Sequence, residues 1–264
     1  MKKSAKILLS LGGLSTILLP ISAISCSNKK PALENQIKIS KETLVSLEFD
    51  EFKKDLNELV TKATQVLNDP KASNKEFNPM IDQLKKVTSE AKEKNEAKKE
   101  EHANNKKLVE KEIDKLKEFS HEKLTDLGEE YNKLKAELVK KYQEEETKHQ
   151  AIKSIEYSAE KTKGYTAELE KIFNEFKNKK VELDKKFLPK LVEETKKKLE
   201  ALKFDDYKTK LSQEEFNKIK DDLQKQLDES TKVSTDIEKS KPEKIDKAIF
   251  DLNKILKDLE TKKS

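Results

Sequence analysis

The stretch LTDLGEEYNKLKAEL, Leu124 to Leu138, decides the fold class. Its apolar residues Leu124, Leu127, Tyr131, Leu134 and Leu138 alternate steps of three and four, the 3.5-residue repeat of a coiled-coil seam. Val109, Ile113 and Leu116 keep the same alternation upstream, and the register slips between Phe119 and Leu124 like a stutter. The spacing predicts a helical segment from Pro79 to about Ser154, opened by Asn78-Pro79 as cap and first residue. Inside it, AKEKNEAKKEEHANN (Ala91 to Asn105) has almost no apolar side chain larger than alanine. That part reads either as a solvated helix held by Glu–Lys pairs or as a break.

Outward from this segment the helical period persists. Leu44, Leu47, Phe52, Leu56, Leu59 and Val60 predict a helix over Lys41–Leu67, ended by Asn68-Asp69-Pro70. Downstream, Gln150 to Thr166 weakens the pattern, and Tyr157-Ser158 and Gly164-Tyr165 suggest a turn or kink. A third segment, about Thr166 to Leu202, carries Leu169, Phe173, Phe176 and Leu183, with Pro189 expected to kink it. It should fold back on the second segment as an αα-hairpin. Ser212-Gln-Glu-Glu215 fits a capping box before Phe216, Ile219 and Leu223. Ser234 to Lys241 reads as a loop, and Pro242 opens the last helix.

Composition agrees with helices. Charged residues make up 41%, hydrophobic ones 33%, and four glycines leave little turn chemistry for β-hairpins. A disordered polyampholyte is the competing reading, and the regular period argues against it. The fold class is therefore all-α: an elongated helical bundle or antiparallel coiled-coil hairpin with shorter terminal helices, following a cleaved signal peptide. Leu47–Leu56 and Leu202–Leu211 share Leu, Phe, Asp, Lys and Leu in register, with Glu51/Asp206 and Phe52/Tyr207 exchanged conservatively. Each is followed by a helix, a loop and a proline-led helix containing Ile-Asp (Ile81-Asp82, Ile245-Asp246). This reads as a duplicated helical module, with coincidence in a Lys/Glu/Leu-biased sequence as the alternative.

The N-terminus is different in kind. Lys2, Lys3 and Lys6 precede an uncharged run, Ile7 to Ile24, interrupted by Gly12, Gly13 and Pro20 and closing on small residues before Cys26. Positive n-region, apolar run and small-residue end are the layout of a signal peptide. Ala23-Ile24-Ser25-Cys26 resembles a bacterial lipobox, with Ala23 departing from its commoner Leu, Val or Ile. The resemblance implies cleavage before Cys26, a diacylglyceryl group on its thiol, and N-acylation left open. Two or more acyl chains anchor stably where one does not. Every basic residue is lysine and tryptophan is absent, as in a very AT-rich genome. Together these features resemble mycoplasma-type surface lipoproteins of the variable adherence-associated antigen type. The resemblance covers the leader and lipobox specifically and the remainder in architecture alone. It implies an extracellular face and attachment to host cells or host proteins.

On this reading the domains are signal peptide (1–25), lipidated tether (26–40), N-terminal helical module (41–95), long coiled-coil hairpin (96–202) and C-terminal helical module (203–264). An ordered extension of the first helix is the alternative for the tether. The formal net charge is +5, three of it from Lys2, Lys3 and Lys6, so the rest is nearly balanced. With no arginine forks, nucleic acid is not an expected partner. Glu118-Phe-Ser-His121 and Glu146-Thr-Lys-His149 are tempting Glu-x-x-His pairs. On one helix they would stand about 42 Å apart at ~1.5 Å per residue, too far to share a metal. No phosphate loop, HExxH or nucleophile elbow occurs, and the single cysteine is committed to the anchor. The expectation is no enzyme, no catalytic residue, no metal, no cofactor beyond the lipid on Cys26, and no small-molecule substrate. The expected partners are a membrane, through the lipid, and a host-cell surface or extracellular protein. The alternative is an assembly lipoprotein pairing with a bacterial membrane protein through coiled-coil contacts. Oligomeric state stays open, since an intramolecular hairpin and an intermolecular coiled coil share one seam.

Overall fold

The computed structural model describes residues 28–125 and 127–263. The described residues form helices and no strand, so the chain is all-α. The helices are α1 (Lys30–Ser46), α2 (Lys53–Asn68), α3 (Asn74–Lys123), α4 (Glu129–Ala151), α5 (Ala159–Ala201), α6 (Gln213–Thr235) and α7 (Pro242–Lys262). Short 3-10 turns occupy Asp50–Phe52, Ser154–Glu156 and Phe204–Asp206. Two compact units divide the chain inside α3, one ending at Glu96 and the other starting at Ala97.

In the first unit, α1, α2 and the opening of α3 enclose one core that includes Leu33, Leu56 and Leu84, all fully buried. Two expectations are corrected here. The segment 26–40 is no tether from Lys30 onward, because α1 begins there. Pro31 starts the helix rather than breaking it, and Leu33 and Ile37, one turn apart, bury the same face. The helix expected over Lys41–Leu67 is two helices. Leu47 and Leu56 are both buried. At about 100° per residue, a continuous helix would point them to opposite sides. The chain breaks at Leu47–Phe52 and both side chains turn inward. Asn95 on α3 holds this corner, its side-chain oxygen accepting the N–H groups of Glu48 (2.9 Å) and Phe49 (3.4 Å). The Ser40 hydroxyl, fully buried, donates to the Gln36 carbonyl and meets Thr88 Oγ1 at 2.9 Å.

α3 starts earlier than Pro79. Ser73 donates both its backbone N–H and its hydroxyl to the Glu76 carboxylate at its N-terminus, and Pro79 lies inside. It also runs unbroken through Ala91–Asn105, the stretch whose reading was open. The buried stripe there is Ala91, Asn95 and His102, two of them polar.

The second unit holds two cores that share α5. One joins α3, α4 and the first half of α5, through Leu116, Leu138, Leu169 and Phe176. The other joins the second half of α5 to α6 and α7, through Leu188, Leu223, Ile245 and Leu252. Leu127 and Phe187 pack against both. Residues 96–202 are therefore not a two-helix hairpin. The helix expected to run on to Ser154 stops at Lys123, and Leu124 is buried outside any helix. Gly128, with φ +113°, turns the chain into α4, a backbone conformation that side chains with Cβ rarely adopt. Glu129 and Glu130 then favour the positive end of the α4 dipole. The apparent stutter at Phe119–Leu124 is this break. α5 begins at Ala159, capped by the Ser158 hydroxyl, so Gly164 is helical rather than a turn, and α5 continues through Pro189.

The two copies of the repeat make the same kind of corner: a helix, a short extended link, a 3-10 turn and a second helix. The likeness extends upstream into α1 and α5. Leu33, Ile37 and Ser40 are buried, as are Leu188, Val192 and Thr195 at the matching positions. Thr195, like Ser40, donates its hydroxyl to the carbonyl four residues back.

Candidate functional site

The corner between α4 and α5, read from the sequence as a turn or kink, is a tightly pinned polar cluster. His149, on the last turn of α4, is only 3% exposed. Tyr157, fully buried, donates its hydroxyl to the His149 carbonyl at 2.9 Å and lies 3.3 Å from His149 Nδ1. Because that hydroxyl proton goes to the carbonyl, the imidazole proton belongs on Nδ1. Nε2 then faces Glu145 Oε2 at 3.7 Å without a hydrogen bond among the described residues. Tyr165 stacks edge-on against the imidazole, ring centres 4.8 Å apart. From α3, His102 Nδ1 donates to the Ile155 carbonyl (2.6 Å) and Asn105 donates to the Tyr157 carbonyl (2.9 Å).

Burial decides the protonation states here. It pushes the His149 imidazole below its ordinary value, against the pull of Glu145, and pushes the Tyr157 phenol up. Both groups are neutral at pH 7. A hollow of about 270 Å³ opens beside them, lined by Lys106, Glu110, Asp114, Lys117 and Glu146 among others. Its carboxylates are already matched: Lys117 reaches Glu146 at 2.8 Å and Asp114 at 3.5 Å.

A second polar cluster lies between the two cores of this unit. Lys180, buried on α5, donates to Asp184 (2.6 Å) and to Asp246 on α7 (2.7 Å). Tyr131 from α4 donates to the other oxygen of Asp184 (2.8 Å), and Lys123 from the end of α3 reaches Asp246 (3.1 Å). Burial raises the Asp184 carboxyl despite Lys180. Burial works the same way on Asp246, but Lys180 and Lys123 outweigh it and hold that carboxyl low. Two ammonium and two carboxylate groups balance, and four helices meet on them. This arrangement holds helices in register, with Lys180 and Asp184 buried and Lys123 and Asp246 partly exposed.

The two Glu-x-x-His pairs are not on one helix: α3 carries Glu118 and His121, α4 carries Glu146 and His149. The separation derived from a single helix therefore does not apply. The pairs still do not meet as a site, since Glu118 and His121 are exposed while Glu146 is bound to Lys117 and His149 is buried. Among the described residues no group of three or more His, Cys, Asp or Glu side chains is placed to hold a metal ion. None of their helices is long and apolar enough to cross a membrane. Cys26 and the run Ile7–Ile24 lie outside the described residues. The sequence reading did not single out His102, Asn105, Lys180 or Asp184, and named Asp246 only as part of the repeat. Their only signal is a polar residue standing where the helical period wants an apolar one.

No protein-family model, curated protein or solved structure matches the chain.

Proposed function

We propose that the chain is a surface lipoprotein, acylated on Cys26, whose helical bundles act as an adhesin for a host-cell surface or extracellular protein. The arrangement of residues 2–26 carries this reading: three lysines, eighteen uncharged residues, and small side chains leading to the only cysteine. The remaining observations are consistent with binding rather than turnover. His102, Asn105, Tyr157, Lys180 and Asp184 are engaged in holding corners and helices together, and the hollow beside His149 is lined by paired charges. Recognition then falls to exposed side chains on helix faces. Metabolic labelling with a fatty acid tests the anchor: label is expected on the wild type and absent from Cys26→Ser. Attachment of purified residues 27–264 to host cells and extracellular proteins tests the adhesin. No binding, together with unchanged attachment of cells lacking the protein, would rule it out. Crosslinking on intact cells to a bacterial membrane protein would point instead to the assembly role.

A further inference from the structure

α7 carries an outward seam that its own bundle leaves uncovered. Its inner face is buried through Ile245, Ile249, Leu252 and Leu256. On the outer face Lys247, Phe250, Lys254 and Lys257 follow each other at steps of three, four and three, all exposed, with Phe250 at 64%. A phenyl ring that open, set between lysines on a coiled-coil spacing, asks for a partner that is acidic at its edges and apolar at its centre. The same unit presents such a surface elsewhere. The groove between α4 and α5 is an open hollow of about 800 Å³. Glu130 and Glu137 line it from α4, Glu175 and Glu182 from α5, and Leu134 and Leu183 lie among them. Four glutamates stand against two lysines in its lining, an acidic excess that the ion pairs there, including Lys185 with Glu182 (3.7 Å), offset only in part. Lys133 is drawn to Glu129 outside the groove, while Lys179 alone serves both Glu137 (3.6 Å) and Glu175 (3.0 Å).

The spacings agree. Lys247 and Lys254 are seven residues apart, as are Glu130 and Glu137, and Glu175 and Glu182. Seven helical residues rise about 10.5 Å, so the charges come into step along parallel or antiparallel axes. We propose that two copies of this chain associate by laying the outer seam of α7 from one copy into the α4–α5 groove of the other. Phe250 enters between Leu134 and Leu183, and Lys247 and Lys254 meet the flanking glutamates. The chain cannot make this contact with itself, because its α7 is fixed by the opposite face against α5 and α6. Both surfaces belong to every copy, so the contact closes as a reciprocal pair where the copies are related by a two-fold axis and otherwise runs head to tail. One aromatic ring and a few surface charges give a weak, salt-sensitive contact, which favours copies held close together on one membrane.

The test uses the full chain in its membrane and does not depend on what the protein binds outside. Cells expressing isotopically light and heavy copies are mixed at the membrane level by fusion, then treated with a zero-length carbodiimide crosslinker. Mixed-isotope peptides joining Lys247 or Lys254 to Glu130, Glu137, Glu175 or Glu182 are expected, and they should disappear at high salt. Phe250→Asp with Lys254→Glu should abolish them while leaving thermal unfolding unchanged, since both side chains are exposed. Glu130→Lys with Glu137→Lys should also abolish them, and mixing this variant with Lys247→Glu/Lys254→Glu should bring association back. Crosslinks from these lysines only to other proteins, crosslinks between copies at unrelated positions, or no mixed-isotope product would each overturn the proposal.

Discussion

At the scale of single residues, His149 shows how burial outweighs sequence context. Its neighbours Glu145 and Glu168 would favour a charged imidazole, yet desolvation pushes the ring the other way. The unfolded chain takes up a proton near the ordinary value of 6.5, the folded chain only at lower pH. Its contribution to stability is therefore complete above that value and is lost as pH falls through the window beneath it. Thermal unfolding midpoints of wild type should drop across this window. His149→Gln should flatten that part of the profile, and an unchanged slope would place the titration elsewhere. Lys180 is the opposite case, a buried cation kept by two carboxylates. Lys180→Met strips the buried Asp184 of its cation and leaves Asp246 with Lys123 alone. A loss of about 3–5 kcal/mol is expected in denaturant unfolding, the usual cost of stranding one side of a buried pair. Replacing Asp184 by Leu in the same variant should recover part of it.

At the scale of elements, the helices were legible and their ends were not. The apolar period of α2, α6 and α7 is plain, and the capping box at Ser212–Glu215 is present as expected. The breaks at Leu47–Phe52 and Leu124–Gly128 escaped because apolar spacing runs across them with little interruption. A seam read along one line cannot tell a continuous helix from a helix, a corner and another helix. Asn95 and His102 misled in the other direction. They stand seven residues apart in a row with Thr88, Val109 and Leu116, all buried. The heptad in α3 is therefore unbroken, with polar residues placed where a corner's backbone groups need partners. Asn95→Ala should cost about 0.5–1.5 kcal/mol, the net worth of a hydrogen bond at a part-buried corner. The loss should appear in urea unfolding, with faster amide exchange at Glu48 and Phe49. Gly128→Ala has room for its Cβ but not the backbone, at φ +113°. A destabilisation of about 1–3 kcal/mol is expected from the strain alone. No change would mean the turn can relax to an ordinary φ.

At the scale of the whole molecule, α5 is the element that matters most in the second unit, because both cores close on it. Leu223→Ala, in α6, removes a fully buried side chain, and about 2–5 kcal/mol should be lost. Hydrogen exchange should then quicken in α7 and, through the common helix, in α4. Protection in α4 that stays at wild-type level would show that the two cores open separately. The sequence by itself determined the helical class, since few glycines, many helix formers and a 3.5-residue period leave no other way to bury the leucines. It also set residues 2–26 apart, because charge and apolarity there follow a different rule from the rest. Only the tertiary structure decided where helices turn back, that three helices rather than two close each core, and which polar residues go inside. Those choices depend on partners distant in the chain. Leu47 and Leu56 can both be buried only once α3 lies against them. Lys180 can be buried only where Asp184 and Asp246, brought by α5 and α7, replace its water.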